Sequence, residues 1–258
     1  MAVKTLTIDS FPGGAFRHLN ADAIVCIDVM LSTTTLVTAV TQGRRAYVAA
    51  TEAAAHGRVA SSPGACLMGT ADGGRPAGFE LADSPTALLR EPTARPLVLW
   101  SPPGTDLIEN ASRCRNVLVA SFRNLTATAG RLAGHHDVAL LGAGCREEFS
   151  CEDQMAAAWV GLRLTREGFE PGDRRTAALL KRWGDIDPGL AAWGNSAEAL
   201  RRAGGDEDLD FVLSHVDDVA LACEYRSGEV VGLAGRWADR AESNLAGEAV
   251  FAEGGRAR

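Results

Sequence analysis

Apolar residues fall in short runs that recur along the first two thirds of the chain and are separated by mixed polar stretches. Asp22–Val29, Arg45–Ala50, Ala65–Gly69, Pro96–Trp100, Asn116–Phe122 and Asp137–Leu141 read as strands. They are runs rather than strict alternations, the pattern of strands covered on both faces.

The segments between them, Thr33–Gln42, Thr51–Ser61, Thr105–Ser112, Asn124–Gly134 and Glu152–Glu167, have helical composition, several opening on a Ser, Thr, Asn or Asp suited to an N-cap. Such alternation predicts an α/β fold, a three-layer α/β/α arrangement around a mostly parallel or mixed sheet. After Gly168 the pattern changes to helices near Arg174–Trp183, Ala197–Ala203 and Asp206–Ser214, then to a hairpin, Ala220–Tyr225 and Glu229–Leu233, turning at Ser227-Gly228. No linker composition divides the chain, so residues 1–168 are expected to form the α/β core and 169–258 to complete the same compact unit. The tail from Ala234 is rich in Gly, Ala and charge, and its end, Gly254-Gly255-Arg256-Ala257-Arg258, is expected to fray.

Composition narrows the function classes. With 258 residues, 46% hydrophobic and 23% charged, the chain can bury a core without covalent staples. Its six cysteines show no CxxC and no zinc-type spacing with histidine, which argues against a disulfide framework or a zinc site. A net charge of −7 with dispersed basic residues argues against a nucleic-acid partner. The absence of an apolar run of about 18 residues or of a signal-like N-terminus argues for a cytoplasmic protein with no membrane partner. A small anionic substrate remains open, and so does a homo-oligomer.

In open α/β sheets ligands bind where strands end and helices begin, so five such junctions carry the candidate chemistry. Cys26-Ile27-Asp28-Val29-Met30-Leu31-Ser32-Thr33-Thr34-Thr35 places an acid at a strand end and four hydroxyls at a helix start. These could hold a cation and an anion, or serve as caps and a loop hydrogen bond. Met30 stands where haloacid-dehalogenase phosphatases carry their second Asp, which sets that family aside.

The Gly-rich loop Gly69–Phe79 leads to Asp83-Ser84-Pro85, a helix start in which Asp83 and Ser84 are as easily caps as ligands. Ser101-Pro102-Pro103-Gly104-Thr105 and Ser121-Phe122-Arg123-Asn124 follow further strands; Gly104 allows close backbone approach, and Arg123 offers a planar fork to an anion or to a neighbouring carboxylate. Glu152 and Asp153 open the long helix after Gly142–Cys151. Acids there are favoured by the helix dipole in any protein, and beside Cys151 they would raise the thiol pKa and oppose a nucleophilic role. The five histidines form no triad or metal motif.

Taken in order, these junctions resemble the 2-phosphosulfolactate phosphatase family, whose corresponding segments are Asp-Val-Leu-Arg-Ala-Thr-Thr-Thr, Gly-Phe-Asp-Leu-Gly-Asn-Ser-Pro, Thr-Thr-Asn-Gly-Thr, Ser-Phe-x-Asn and Gly-x-Phe-Ser-x-Glu-Asp. The likeness runs from Asp22 to Leu164, with an echo in Asp217–Leu233. It implies a magnesium-dependent phosphoric monoester hydrolase. Asp28, Asp83, Glu152 and Asp153 would be catalytic, with Asp28, Glu152 and Asp153 on Mg2+. Ser32, Thr33, Thr34, Ser84, Gly104, Thr105, Arg123 and Asn124 would bind substrate.

The departures lie among these same segments. The family Arg is Leu31, the loop Glu is Thr70, the Asn before Ser-Pro is Asp83, and the Asn before Gly-Thr is Pro103. Loss of a cation and gain of an acid disfavour a doubly anionic substrate, and Arg75, Arg123 or Arg146 is expected to replace the anion contact missing at Leu31. The alternative is a diverged member with different chemistry on a small acid in a specialised biosynthetic pathway, or a non-catalytic binding protein.

Overall fold

The computed structural model describes residues 3–145, 148–184 and 186–234. In chain order the elements are β1 (Lys4–Ser10), β2 (Ala23–Ile27), α1 (Ser32–Thr41), β3 (Ala46–Val48), α2 (Glu52–Ala60), β4 (Cys66–Gly69), α3 (Pro85–Arg90), β5 (Leu97–Trp100) and α4 (Gly104–Ala111). These are followed by β6 (Val117–Ala120), α5 (Leu125–Leu132), β7 (Asp137–Gly142), α6 (Cys151–Arg166), β8 (Phe169–Pro171), α7 (Arg174–Trp183), α8 (Asn195–Arg202), α9 (Asp206–Ser214), β9 (Leu221–Arg226) and β10 (Glu229–Ala234). Short 3-10 turns occupy Pro12–Arg17, Phe122–Asn124 and Pro188–Trp193.

Among the described residues the strands form one ten-stranded mixed sheet in the order β4-β5-β3-β10-β9-β6-β2-β7-β1-β8, with helices on both sides. The three-layer α/β/α expectation therefore holds. Two strands lay outside the run-based reading. In β1, Thr5, Leu6, Thr7 and Ile8 alternate polar and apolar, and only Leu6 and Ile8 of these are fully buried, so the segment carries a period-2 signal rather than a run. β8 has three residues and adds to β1 at the sheet edge.

The sheet consists of two parallel blocks. β6, β2, β7, β1 and β8 run one way; β3, β5 and β4 are parallel to each other. Between the blocks sits the hairpin β9–β10, antiparallel to β6 on one side and to β3 on the other. Following the pairings across the hairpin, the blocks run in opposite senses. Each step in a twisted sheet rotates the strand direction by roughly 20–25°, so the five steps from β5 to β2 accumulate roughly 100° or more. That twist curls the sheet around α1, whose Ser32–Val40 stretch is buried throughout. It also brings the chain beyond the ends of both blocks into one region.

The core lies on both faces of the sheet. One cluster joins Leu6, Ile8, Val25 and Ile27 to α6 and α7 through Met155, Trp159 and Leu180. The other joins Ile24, Cys26, Met68 and Leu99 to α1 and α4 through Leu36, Val37 and Leu107. Each fully buried Leu or Ile contributes about 1.5–3 kcal/mol, which fixes the strand ends from which the site is built. The frayed end expected at Gly254–Arg258 and the Arg146 contact expected for the site both lie outside the described residues.

Candidate active site

The loops after β2, β4, β5 and β7 meet at a cleft of about 1190 Å3, closed on the far side by α8 and the start of α9. Helices α1, α4 and α6 begin beside it, so their N-terminal partial charges favour negative charge there.

Asp28 follows β2, is buried and lines the cleft beside Ser32, Asp83 and Ser101. The local chain is held by Thr33: the Asp28 N–H donates to Thr33 Oγ1 (3.0 Å), and Thr33 Oγ1 and N–H donate to the Asp28 carbonyl (2.8 and 3.0 Å). Thr34 Oγ1 likewise donates to the Val29 carbonyl at 2.8 Å. These hydroxyls satisfy the backbone of a tight strand-to-helix turn and do not line the cleft. Burial pushes the Asp28 carboxyl up to about 7, with the Asp83 and Glu152 carboxylates adding to burial, and the Ser32 hydroxyl and Gly104 amide opposing it. Gly104 is required by proximity: a Cβ there would lie 2.2 Å from Asp28 Oδ2 and 2.7 Å from Ser32 Oγ.

Asp83 enters from the other block, just before α3. Thr35 Oγ1 donates to its Oδ1 at 2.6 Å, and its own N–H donates to Thr70 Oγ1 at 3.1 Å. Its other oxygen, Oδ2, is buried without a hydrogen-bond partner among the described residues, although the residue lines the cleft. Burial raises its pKa against the neighbouring hydroxyls of Thr35, Ser101 and Ser32, with Asp208 adding to the rise. Ser84 caps α3 by accepting from the Ala87 N–H (3.0 Å) and donates to Asp208 Oδ1 (2.8 Å). Asp208 also accepts from the N–H and hydroxyl of Thr86, so α9 is clamped to the start of α3.

Glu152 and Asp153 are buried at the start of α6, behind the cleft lining. Asp153 accepts from the Val29 N–H with Oδ1 (2.9 Å) and from the Gly144 N–H with Oδ2 (3.0 Å), joining the β7–α6 and β2–α1 loops. Gly144 makes this turn at φ +72°, where other residues are strained. Burial, Asp28 and Glu152 raise the Asp153 carboxyl well above the usual range. Cys151 donates to Glu152 Oε2 at 3.4 Å, and burial followed by that carboxylate pushes the thiol up to about 12, which removes it as a nucleophile near neutral pH.

The Phe122–Asn124 junction does not reach the cleft. Arg123 makes a bidentate pair with Asp218 (3.1 and 2.6 Å), donates to Thr38 Oγ1 (2.9 Å) and lies over the Phe211 ring. Asn124 accepts from the Ser121 N–H and donates to the Val119 and Leu221 carbonyls. Thr105 accepts from the Ser101 N–H at 3.2 Å and is fully buried. The sequence suggested all three for substrate; in the fold Thr105 and Asn124 bond within their own turns and Arg123 is taken up by Asp218 and Thr38.

Of the three arginines considered for the missing anion contact, Arg75 lines the cleft and donates to the Phe79 carbonyl. A further cation, Arg202 of α8, lines it while paired with Glu198. Arg202, Asp208 and Phe11 were missed in the sequence. Only the burial of Asp208 within an acidic first helical turn distinguishes it, and burial is not legible locally.

Among the described residues no three His, Cys, Asp or Glu side chains converge in a way that could hold a metal ion. The set Asp28, Glu152 and Asp153 is therefore not gathered as ligands, because Glu152 and Asp153 stand behind the lining and each oxygen of Asp153 already accepts a backbone N–H. The donor set that fits Mg2+ is smaller. The unpartnered Asp83 Oδ2, beside Asp28, meets the ion's need for one or two carboxylates completed by water.

Comparison with known sequences places this arrangement. The family model described as 2-phosphosulpholactate phosphatase matches residues 13–227. A Thermotoga petrophila protein named "Probable 2-phosphosulfolactate phosphatase" is 30% identical over 190 residues, 72% of this chain and 82% of its own length. Similar proteins of the same printed name occur in Synechococcus sp. strain CC9605, 29% identical over 76% of this chain and 85% of the relative, and in Deinococcus radiodurans, 30% identical over 80% and 87%. The match spans eight of the ten strands, β2 to β9, and the loops after β2, β4, β5 and β7 that form the cleft, and the chain belongs to the 2-phosphosulfolactate phosphatase family, a family of phosphoric monoester hydrolases.

Proposed function

We propose that the chain hydrolyses a small-molecule phosphate monoester with the help of Mg2+ at this cleft. The observation that carries the reading is the pair of buried acids, Asp28 and Asp83. Both line one cavity among helix N-termini, and Asp83 has an oxygen with no hydrogen-bond partner among the described residues.

The roles follow from the environments. Asp28, poised near neutrality, accepts a proton from the attacking water, the condition under which a general base works best. The water oxygen bonds to phosphorus, the ester P–O bond breaks, and the proton passes to the departing oxygen, so alcohol and phosphate leave and Asp28 is restored. The positive ends of α1 and α4, which begin beside the cleft, favour the charge that grows on the phosphoryl oxygens. Asp83 would hold Mg2+ through Oδ2; when bound, the ion neutralises phosphoryl charge and polarises the phosphorus centre.

The test is phosphate release over a panel of phosphomonoesters by protein stripped with EDTA and then supplied with Mg2+. Release should need the ion, and Asp83→Asn should raise the Mg2+ concentration giving half activity about tenfold, the equivalent of about 1.4 kcal/mol in ion binding. A folded protein that releases phosphate from no ester with or without Mg2+ would overturn the reading in favour of a non-catalytic binding role.

A further inference from the structure

The walls of the cleft say what the organic part of the ester is. Beside the polar stretch around Asp28, Asp83 and Ser32 the cleft has a mostly apolar wall: Phe11, Met30, Leu31, Pro102 and Pro103, with Leu200 of α8; polar side chains such as Thr70, Asp72, Arg75 and Arg202 also line it. Most of the apolar residues are half-buried, so they present carbon to the cavity rather than to the core alone. At about 1190 Å3 the cavity exceeds the roughly 300–1,000 Å3 that holds a drug-sized ligand. A phosphoryl group and a hydrated ion at the polar end leave most of it vacant.

Charge points the same way. The lining acids are Asp28, Asp72, Asp83 and Asp208, and the only lining cations among the described residues are Arg75 and Arg202. Both guanidinium groups sit on exposed residues, Arg75 donating to the Phe79 carbonyl and Arg202 paired with Glu198. One anionic group, the phosphoryl, is provided for at the helix N-termini. A second anion held against Leu31, Met30 and Leu200 would lose water without gaining a partner there, since the two lining arginines are on exposed residues and not on that wall.

We propose that the substrate is a phosphomonoester with a bulky apolar organic group and no second anion, its phosphoryl at Asp28 and Asp83 and its carbon body against Leu31, Met30 and Leu200. This rests on the cleft being the phosphatase site. Each methylene moved from water onto such a wall contributes about 0.8 kcal/mol, or about fourfold in kcat/KM.

The experiment compares n-alkyl phosphates from ethyl to octyl, kept below micelle-forming concentration, with phospholactate. Phosphate release is measured in parallel with calorimetric binding of the matching alkylphosphonates, which cannot be hydrolysed. We expect kcat/KM to rise about fourfold per methylene over the middle of the series and octyl phosphate to outrun phospholactate. Leu200→Asp and, as a second variant on the same wall, Ala199→Asp should each cut the octyl-to-ethyl ratio at least tenfold in protein that still melts cooperatively.

A flat series, or phospholactate as the better substrate, overturns the inference while leaving the phosphatase reading intact. Phosphonate affinity that climbs with chain length, with no phosphate released from any ester, supports the ligand class and overturns the hydrolysis reading. Affinity and release that both ignore chain length overturn the inference.

Discussion

Replacing Asp28 by Asn should make the protein more stable above neutral pH. Asp28 is buried among Asp83 and Glu152, and its carboxyl is raised from the ordinary 3.8 to about 7, first by burial and then by those neighbours. In the folded protein it therefore keeps a proton between pH 4 and 7 that the unfolded chain has released. The sign follows: its contribution to stability is fullest below 3.8 and is lost as pH rises through 7. The shift of about three units corresponds to on the order of 4 kcal/mol at 1.36 kcal/mol per unit.

Asn carries no charge at any of these pH values, and its carbonyl can still accept from Ser32 and the Gly104 amide. Allowing about 1–2 kcal/mol for the weaker hydrogen bonds, Asp28→Asn should be roughly 2–3 kcal/mol more stable than the parent at pH 8. At about 2 °C per kcal/mol for a chain of this size, that is a rise in Tm of roughly 4–6 °C. The assay is denaturant or thermal unfolding of both proteins in EDTA from pH 4 to 8. Other titrating groups are common to both, so the difference between the two profiles isolates the acid cluster. A difference that does not grow between pH 4 and 7, or a variant less stable than the parent at pH 8, would refute the reasoning.

Other changes probe the placement of the remaining residues. Gly104→Ala puts a Cβ about where Asp28 Oδ2 now stands, at 2.2 Å; phosphatase activity should fall at least about 100-fold, with a stability loss of about 1–3 kcal/mol in chemical denaturation. Arg123→Ala removes the partner of Asp218 and Thr38. It should cost roughly 2–3 kcal/mol in unfolding, less than a fully buried pair because Asp218 is part exposed, while KM for a phosphate ester stays within about twofold. Leu31→Arg places a guanidinium on the apolar wall; the ratio of kcat/KM for phospholactate to that for an alkyl phosphate should rise about tenfold or more, the value of one charge-assisted contact.

What could be read from the sequence was local. β2 to β7 were legible because each is a buried apolar run, and α1 to α6 because stretches of helical composition separate or follow those runs, with Thr51 and Ser84 capping α2 and α3. The opposed sense of the two blocks was not, since it depends on β9 and β10 pairing with β6 and β3 across long stretches of chain. The same division holds at the site. Asp28, Ser32, Asp83 and Ser84 lie at strand-to-helix junctions, where chain direction alone aims side chains into the cleft. Thr33, Thr34, Thr105, Arg123 and Asn124 have equally suitable chemistry at equally suitable junctions. Their hydrogen bonds are instead taken by the turns themselves or, for Arg123, by Asp218. Arg202, Asp208 and Leu200 reach the cleft from helices more than a hundred residues away from Asp28 in the chain, and no nearby pattern marks them.

The stability expected from Asp28→Asn has its counterpart in catalysis, since a buried acid cluster that weakens the fold at neutral pH persists where function needs it. The most direct test of the account is the rate of Mg2+-dependent phosphate release by Asp28→Asn against the parent, in protein shown by unfolding to be intact. A general base contributes typically 10²–10⁴-fold, so kcat should fall by about a thousandfold in a protein that is as stable as the parent or more so. A variant that keeps its rate within about tenfold would contradict the assignment of Asp28, and with it the cleft as the seat of hydrolysis.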